Sequence, residues 1–301
     1  MTKHSPSPST TTTTTTTDLP PWITNPPPPV PHTLISFPAR HILLVTLNNP
    51  AQLNAIAAPQ HFALARLWDW FDAEPALRAA VLTGAGRAFC AGADLKAWHA
   101  SYGDGGGSGD GGRLPPSGFG GLSNRNGRKP VVAAVNGPCL GGGFEMLLNC
   151  DIVVAAAGAA KGRTDFALPE VSIGVIAVAG GLPRLGQSVG RQRAMEMALT
   201  GKRYSAEEMR DWGLVNEVVA SEAAVLPVAL KWAQRIAANS PDAVVVTREG
   251  VKSAWEGVGP AQATDMVRDG WYGRIEGGDN MVEGIRSFVE RRKPVWKDSK
   301  L

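Results

Sequence analysis

Cysteine is scarce in this chain: Cys90, Cys139 and Cys150 are the only three in 301 residues. They lie in apolar or glycine-rich segments without metal-ligand spacing. They therefore read as reduced, small packing residues, and no disulfide framework is expected. Basic clusters are also few. The net charge is +3, and the densest run, Arg291 to Lys293, reads as a solvated helix end, so nucleic acid is not an expected partner. No apolar stretch is long and uninterrupted enough to span a bilayer. The first thirty residues lack the apolar core of a secretory signal and contain almost no arginine, against a mitochondrial presequence. They join a Thr tract, Thr10 to Thr17, to a proline run, Pro26 to Pro29, and are expected to be disordered for want of apolar surface to bury. The whole chain is 44% hydrophobic and 19% charged, an ordinary globular composition with material for one large core, alone or with a small appendage.

Against that background two glutamates stand out. Glu145 sits in CLGGGFEMLLNC, Cys139 to Cys150, where three glycines run into a segment that otherwise reads as a buried helix. Glu170 follows Pro169 and leads into VSIGVIAVAGG, again mostly apolar. An ionised carboxylate buried without a partner costs several kcal/mol, so two acids placed this way point to acid/base chemistry. The competing reading of each is a side chain that reaches solvent at a helix end.

Two further segments are built for close backbone approach. Ala80 to Trp98, AVLTGAGRAFCAGADLKAW, reads as a short strand, a Gly turn, then small residues leading into a helix. Gly141, Gly142 and Gly143 place N–H groups without intrahelical partners at a helix start, where the dipole favours negative charge. Two such turns facing one another make an oxyanion hole. In order along the chain, NNPAQLNAI, GRAFCAGADL, KPVVAAVNGPCLGGGFE and a downstream PE resemble the crotonase, or enoyl-CoA hydratase/isomerase, superfamily. The resemblance runs from about His32 to Lys297.

The class is α/β. From His41, ILLVTLN reads as a strand, and Pro59 opens a helix carrying Phe62, Leu64, Leu67, Trp68 and Phe71 that Pro75 stops. Strands follow at AAVLTG, VVAAVNG and DIVVAAA, alternating with helices. The resemblance supplies the topology: a ββα spiral core over residues 31–220 and a C-terminal helical region over 221–298 that builds a trimer contact. Ser205 and Glu208 form a capping-box pattern, and helix-like stretches cover Ala224 to Ala238, Ala243 to Trp255 and Met281 to Arg292. Residues 99–129 are too rich in glycine for a regular element and are expected to form a loop, either mobile over the acyl end of a substrate or an inert insertion.

What the resemblance implies for chemistry is specific. The substrate is an acyl-CoA thioester, with no separate cofactor. Backbone N–H groups of Ala93 and Gly142 hold the thioester oxygen as charge develops on it. Glu145 activates a water and Glu170 delivers a proton to C2, a division that could also be reversed. Ala55, Ala91, Asp94, Leu95 and Gly141 match substrate-binding positions, Phe119 is a candidate pocket contact, and Phe288 and Arg291 match positions that hold the nucleotide end of CoA, often across a subunit boundary. A helix-end charge is the competing reading of Arg291. Two acids favour an enoyl-CoA hydratase or 3-hydroxyacyl-CoA dehydratase over an isomerase, which commonly keeps one. A 3-hydroxyacyl-CoA hydrolase and a non-catalytic acyl-CoA-binding relative are also compatible with the resemblance. The expected assembly is a homotrimer or a dimer of trimers.

Two departures from the hydratase pattern bear on the substrate. GRTD, Gly162 to Asp165, looks like an insertion that could displace Glu170, and Ala177 and Val178 stand where hydratases typically show a proline and a glycine. A different acyl group follows, with branched, hydroxylated or secondary-metabolite acyl-CoAs, such as a siderophore side-chain precursor, as plausible as straight chains. The chain closes on Ser299, Lys300 and Leu301, the address read by the peroxisomal import receptor, so the expected location is the peroxisome.

Overall fold

The computed structural model describes residues 19–102, 112–158 and 165–301. Strand β1 (Thr33–Ala39) pairs antiparallel with β2 (Ile42–Leu47). From β2 the main sheet continues in parallel through β3 (Ala79–Gly84), β4 (Val131–Val135), β6 (Ile152–Ala156) and β9 (Glu217–Val219). A small second sheet joins β5 (Cys139–Leu140), β7 (Asp165–Ala167) and β8 (Tyr204–Ser205).

Alternation of side chains along the strands sends each face of the main sheet to a different partner. Leu43, Val45, Ala80, Leu82, Val131, Ala133, Val135, Val153 and Ala155 join the large core, which includes Leu64, Leu67, Trp68 and Phe71 of α1 (Ala58–Ala73) and Phe144 of α3 (Gly142–Leu147). The intervening Ile42, Leu44, Ala79, Val81, Val132, Ala134, Val154 and Ala156 pack on Val225, Ala229, Ala233 and Ala237 of α7 (Glu222–Ala237). Both faces are covered. This is why the parallel strands read as unbroken apolar runs, as such sheets do.

Past the sheet come α4 (Gly181–Val189), α5 (Arg191–Thr200) and α6 (Ala206–Asp211), the last closed by the expected Ser205/Glu208 capping box. Beyond α7, the terminal region holds α8 (Pro241–Trp255), α9 (Pro260–Asp265) and α10 (Asp279–Val289). The sequence pattern missed α9 and the π-helical turn that continues it over Met266–Trp271.

Two expectations need correction. Residues 19–30 are part of the fold: Trp22 meets Phe37 edge-on at 5.7 Å, and the N–H groups of Thr24 and Asn25 donate to Glu74 Oε2 at 3.1 and 3.2 Å. One tryptophan and one buried carboxylate anchor a segment whose composition alone argued against order. The stretch 99–129 is likewise only partly a free loop. Residues 103–111 lie outside the described set, as do the Thr tract and most of GRTD. Helix α2 (Leu95–Ser101) reaches into the stretch, and residues 119–123 are buried, with Phe119 N–H donating to Ser123 Oγ at 2.7 Å and Ser123 Oγ donating to Ala179 O at 2.8 Å. Trp68 Nε1–H also donates to Gly120 O at 3.0 Å. These bonds outweigh the glycines.

Candidate active site

The site forms at the carboxyl ends of β3 and β4, where the chain leaves the sheet by two loops strapped together. Asn54 Nδ2 donates to Ala85 O and Ala88 O at 2.9 and 2.8 Å, and Asn136 Nδ2 donates to Gly86 O at 2.8 Å. Leu140 N–H donates to Cys90 O at 2.9 Å, running the second loop alongside the first. The three cysteines are free thiols; Cys90 and Cys139 are buried where the loops meet, and burial raises the Cys90 thiol to about 12, so it stays protonated.

This strapping orients two amides. Ile56 forms a parallel bridge with Ala93, donating to Gly92 O at 2.9 Å and accepting Asp94 N–H at 3.0 Å. Successive amides of an extended chain alternate sides, so the N–H of Ala93 turns away from Ile56. Gly142 opens α3, where an N–H has no intrahelical acceptor. Among the described residues neither N–H has a hydrogen-bond partner. Two glycines make the approach possible. A Cβ on Gly92 (φ +94°) would sit 3.3 Å from Gly142 N, and one on Gly142 would fall 2.4 Å from the Phe119 ring.

Glu145, 3% exposed, projects from the first turn of α3. Its Oε1 accepts N–H groups from Ala179 and Gly181 at 2.9 and 3.0 Å, leaving Oε2 as the oxygen free to act. Burial raises its pKa; the two amides and Arg184 work in the opposite direction, toward the carboxylate. Glu170, in a short 3-10 turn (Glu170–Ile173), is half-buried, and its Oε2 has no partner among the described residues. Burial foremost, with the nearby Glu145 charge adding, pushes its pKa up to about 7. Glu145 is thus held by two N–H groups from another segment, whereas Glu170 has only its own backbone N–H and keeps one oxygen unpaired.

A cavity of about 120 Å³ joins these groups. It is lined by Glu145, Glu170, Ala91, Ala93, Leu95, Gly141, Gly142 and Phe119 of the expected residues, and by Val178 at an exposed edge. The GRTD segment therefore leaves Glu170 on the same cavity as Glu145. Four expected residues lie elsewhere. The Asp94 carboxylate caps α2 instead, accepting from Lys96 and Ala97 N–H at 3.1 and 3.0 Å. Ala55 is not on the cavity wall; its N–H is bonded to Gln52 O. Phe288 is 85% exposed on α10, and Arg291 sits just past that helix at φ +54°; within one chain neither reaches the cavity.

The sequence reading missed His61. It lines the cavity while standing in register with Leu64 and Trp68 on the buried stripe of α1, and a histidine at that spacing was the available signal.

A family model described as enoyl-CoA hydratase/isomerase matches residues 39–299. The chain belongs to that family. A mevalonyl-coenzyme A hydratase of Beauveria bassiana is 57% identical, covering 92% of this chain and 99% of its own. A protein of the same name from Aspergillus fumigatus is 48% identical, covering 91% and 98%. Carnitinyl-CoA dehydratase of Escherichia coli is 38% identical over 85% of this chain and 95% of its own. Among solved structures, an enoyl-CoA hydratase from Mycobacterium tuberculosis superposes with a TM-score of 0.77 at 34% identity, covering 89% of this chain and 99% of that one. The crotonase fold and membership among CoA-thioester enzymes are thereby established for this member of the enoyl-CoA hydratase/isomerase family.

Proposed function

We propose that this protein interconverts mevalonyl-CoA and its 2-enoyl dehydration product, 5-hydroxy-3-methyl-2-pentenoyl-CoA, by adding or removing water across C2 and C3. The observation that carries the reading is two carboxyl groups on one small cavity, one holding two backbone N–H donors and the other with an unpaired oxygen, beside two unpaired amides. The names of the two fungal relatives support the acyl group.

In the hydration direction Glu145 Oε2 takes a proton from water as its oxygen bonds to C3. The π electrons of the C2–C3 bond move toward C1, and negative charge grows on the thioester oxygen. The N–H groups of Ala93 and Gly142 are the donors for that oxygen; such a donor typically contributes about 10²- to 10³-fold because it is fixed before charge appears. C2 then takes the Glu170 proton, which closes the balance once the two acids exchange a proton through solvent. Dehydration runs the same steps backward. A pKa of about 7 suits Glu170 to either direction near neutral pH.

An isomerase needs no water and only one acid, so both glutamates on the cavity favour the hydratase reading over it. In this reading the CoA thioester is the substrate and no resident cofactor takes part. We also propose peroxisomal import through Ser299–Leu301, supported by the tripeptide itself, and assembly as a trimer or a dimer of trimers. The exposed Val282, Ile285, Phe288 and Val289 of α10 support the assembly. The test of the chemistry is Glu145→Gln and Glu170→Gln, each assayed for turnover and for acyl-CoA affinity. Turnover falls by roughly 10² to 10⁴ in each variant while affinity is retained; either variant turning over at the wild-type rate sinks the mechanism.

A further inference from the structure

Among the described residues, four side chains on the cavity wall carry polar hydrogen-bonding groups: His61, Trp98, Glu145 and Glu170. The glutamates belong to the chemistry, and Trp98 Nε1–H already donates to Tyr102 OH at 3.0 Å. His61 is left over. Its ring is 2% exposed, and Nδ1 accepts the N–H of Gly120 at 3.0 Å. A nitrogen that accepts carries no proton, so in the neutral ring the proton sits on Nε2. Burial keeps the ring neutral, lowering its pKa to about 4. Among the described residues no hydrogen bond is made by Nε2, and that nitrogen is not sealed off as Glu170 Oε2 is, so it stays open to a ligand in the cavity that His61 lines.

The position of that donor relative to the oxyanion amides is set by one aromatic ring. A Cβ on Gly142 would touch the Phe119 ring, and the His61 ring lies 4.4 Å from Phe119, centroid to centroid. His61 and Gly142 therefore both stand against the Phe119 ring on the wall of one cavity. Among the described residues, Leu95, Leu114, Val175 and Ile176 of the same wall have apolar side chains that offer a hydroxyl no partner.

We infer that His61 is a specificity-determining residue whose Nε2–H donates to a hydroxyl oxygen on the acyl chain beyond C3, selecting hydroxylated over plain branched 2-enoyl-CoAs. This rests on the hydratase reading above and deepens it. With the thioester oxygen on the two amides, an acyl group with a hydroxyl on C5 presents that oxygen one bond past a carbon that is four carbon–carbon bonds from C1. Without the hydroxyl the Nε2–H is desolvated by the substrate and left unpaired, a penalty corresponding to about 10- to 100-fold in kcat/KM.

The test measures kcat/KM of the full chain for 5-hydroxy-3-methyl-2-pentenoyl-CoA and for 3-methyl-2-pentenoyl-CoA, which lacks only the hydroxyl. Wild type prefers the first by about 10- to 100-fold. In His61→Asn, which keeps an acceptor for Gly120 N–H but has no group at Nε2, the preference collapses toward one. In His61→Gln, which puts a donor back at that distance, part of it returns. A wild-type preference within threefold of one overturns the assignment without any variant, while leaving hydration itself intact. Equal losses on both substrates in His61→Asn, with the preference kept, also overturn it, since His61 would then act only by holding the Phe119 turn. Turnover of neither substrate by wild type removes the hydratase reading, and the assignment with it.

Discussion

The carboxyl of Glu170, with one oxygen buried and unpaired, makes a prediction about stability as well as rate. Its pKa stands at about 7 in the fold against an ordinary 4.5, because burial and the Glu145 charge disfavour the ionised form. A folded pKa above the unfolded one means that the stability associated with the protonated group is fully present below about 4.5 and is lost as pH rises through about 7. At roughly 1.4 kcal/mol per tenfold change in ionisation constant, the whole shift amounts to about 3 kcal/mol at alkaline pH. Half-exposure to solvent cuts that to about 2 kcal/mol. Glu170→Gln removes the charge but leaves a buried amide with an unpaired end, costing about 1 kcal/mol. The net expectation is a variant more stable than wild type by about 1 kcal/mol at pH 8.5, which is roughly 2 to 4 °C in a chain of this size, and no more stable than wild type at pH 4.5. Thermal denaturation across pH 4.5 to 8.5 reads this directly. A Glu170→Gln variant that is less stable than wild type at every pH refutes the claim that ionised Glu170 is a strained group, and with it the physical basis for using it as a proton donor near neutrality.

Other expectations follow from the same geometry. Gly142→Ala drives a methyl into the Phe119 ring and crowds the amide, so kcat falls by about 10²-fold or more with the fold retained by circular dichroism; wild-type turnover would mean the thioester oxygen sits elsewhere. Gly181→Ala places a Cβ 2.5 Å from Glu145 Cγ and should lower kcat by displacing that carboxylate, an effect absent if Glu145 is a bystander. In free-enzyme pH profiles, hydration kcat/KM declines above about 7 as Glu170 loses its proton, and dehydration kcat/KM declines below about 7 as it gains one; two flat profiles from pH 6 to 8.5 would contradict the assignment. Deletion of Ser299–Leu301 from a fluorescent fusion leaves the protein in the cytosol, and continued peroxisomal import would remove that proposal.

How much of this was legible beforehand depends on the length scale of each signal. Glu145 and Glu170 were readable because a charge in an apolar run violates a local rule, and Gly142 because a glycine cluster at a helix start has few other uses. β3 and β4 were readable as strands, but which of their residues face which core was not, since both faces are covered and the runs are apolar throughout. Trp22 escaped because its partner Phe37 and the Glu74 carboxylate are remote in sequence, and composition averages over single anchors. His61 escaped because a histidine within an apolar stripe looks like packing; only the bond from Gly120, 59 residues away, fixes its tautomer and leaves a donor to spare. Phe288 and Arg291 stand away from the cavity, Phe288 exposed on α10 and Arg291 just past its end, so a ligand contact and a solvated helix end leave the same local pattern in the sequence.

The most direct test of the account is the mass of the product formed from 5-hydroxy-3-methyl-2-pentenoyl-CoA, followed by loss of enoyl-thioester absorbance with free thiol measured in parallel. The account predicts a gain of one water on an intact CoA thioester, abolished in Glu145→Gln. Release of free CoA, or double-bond migration without a change in mass, would contradict it.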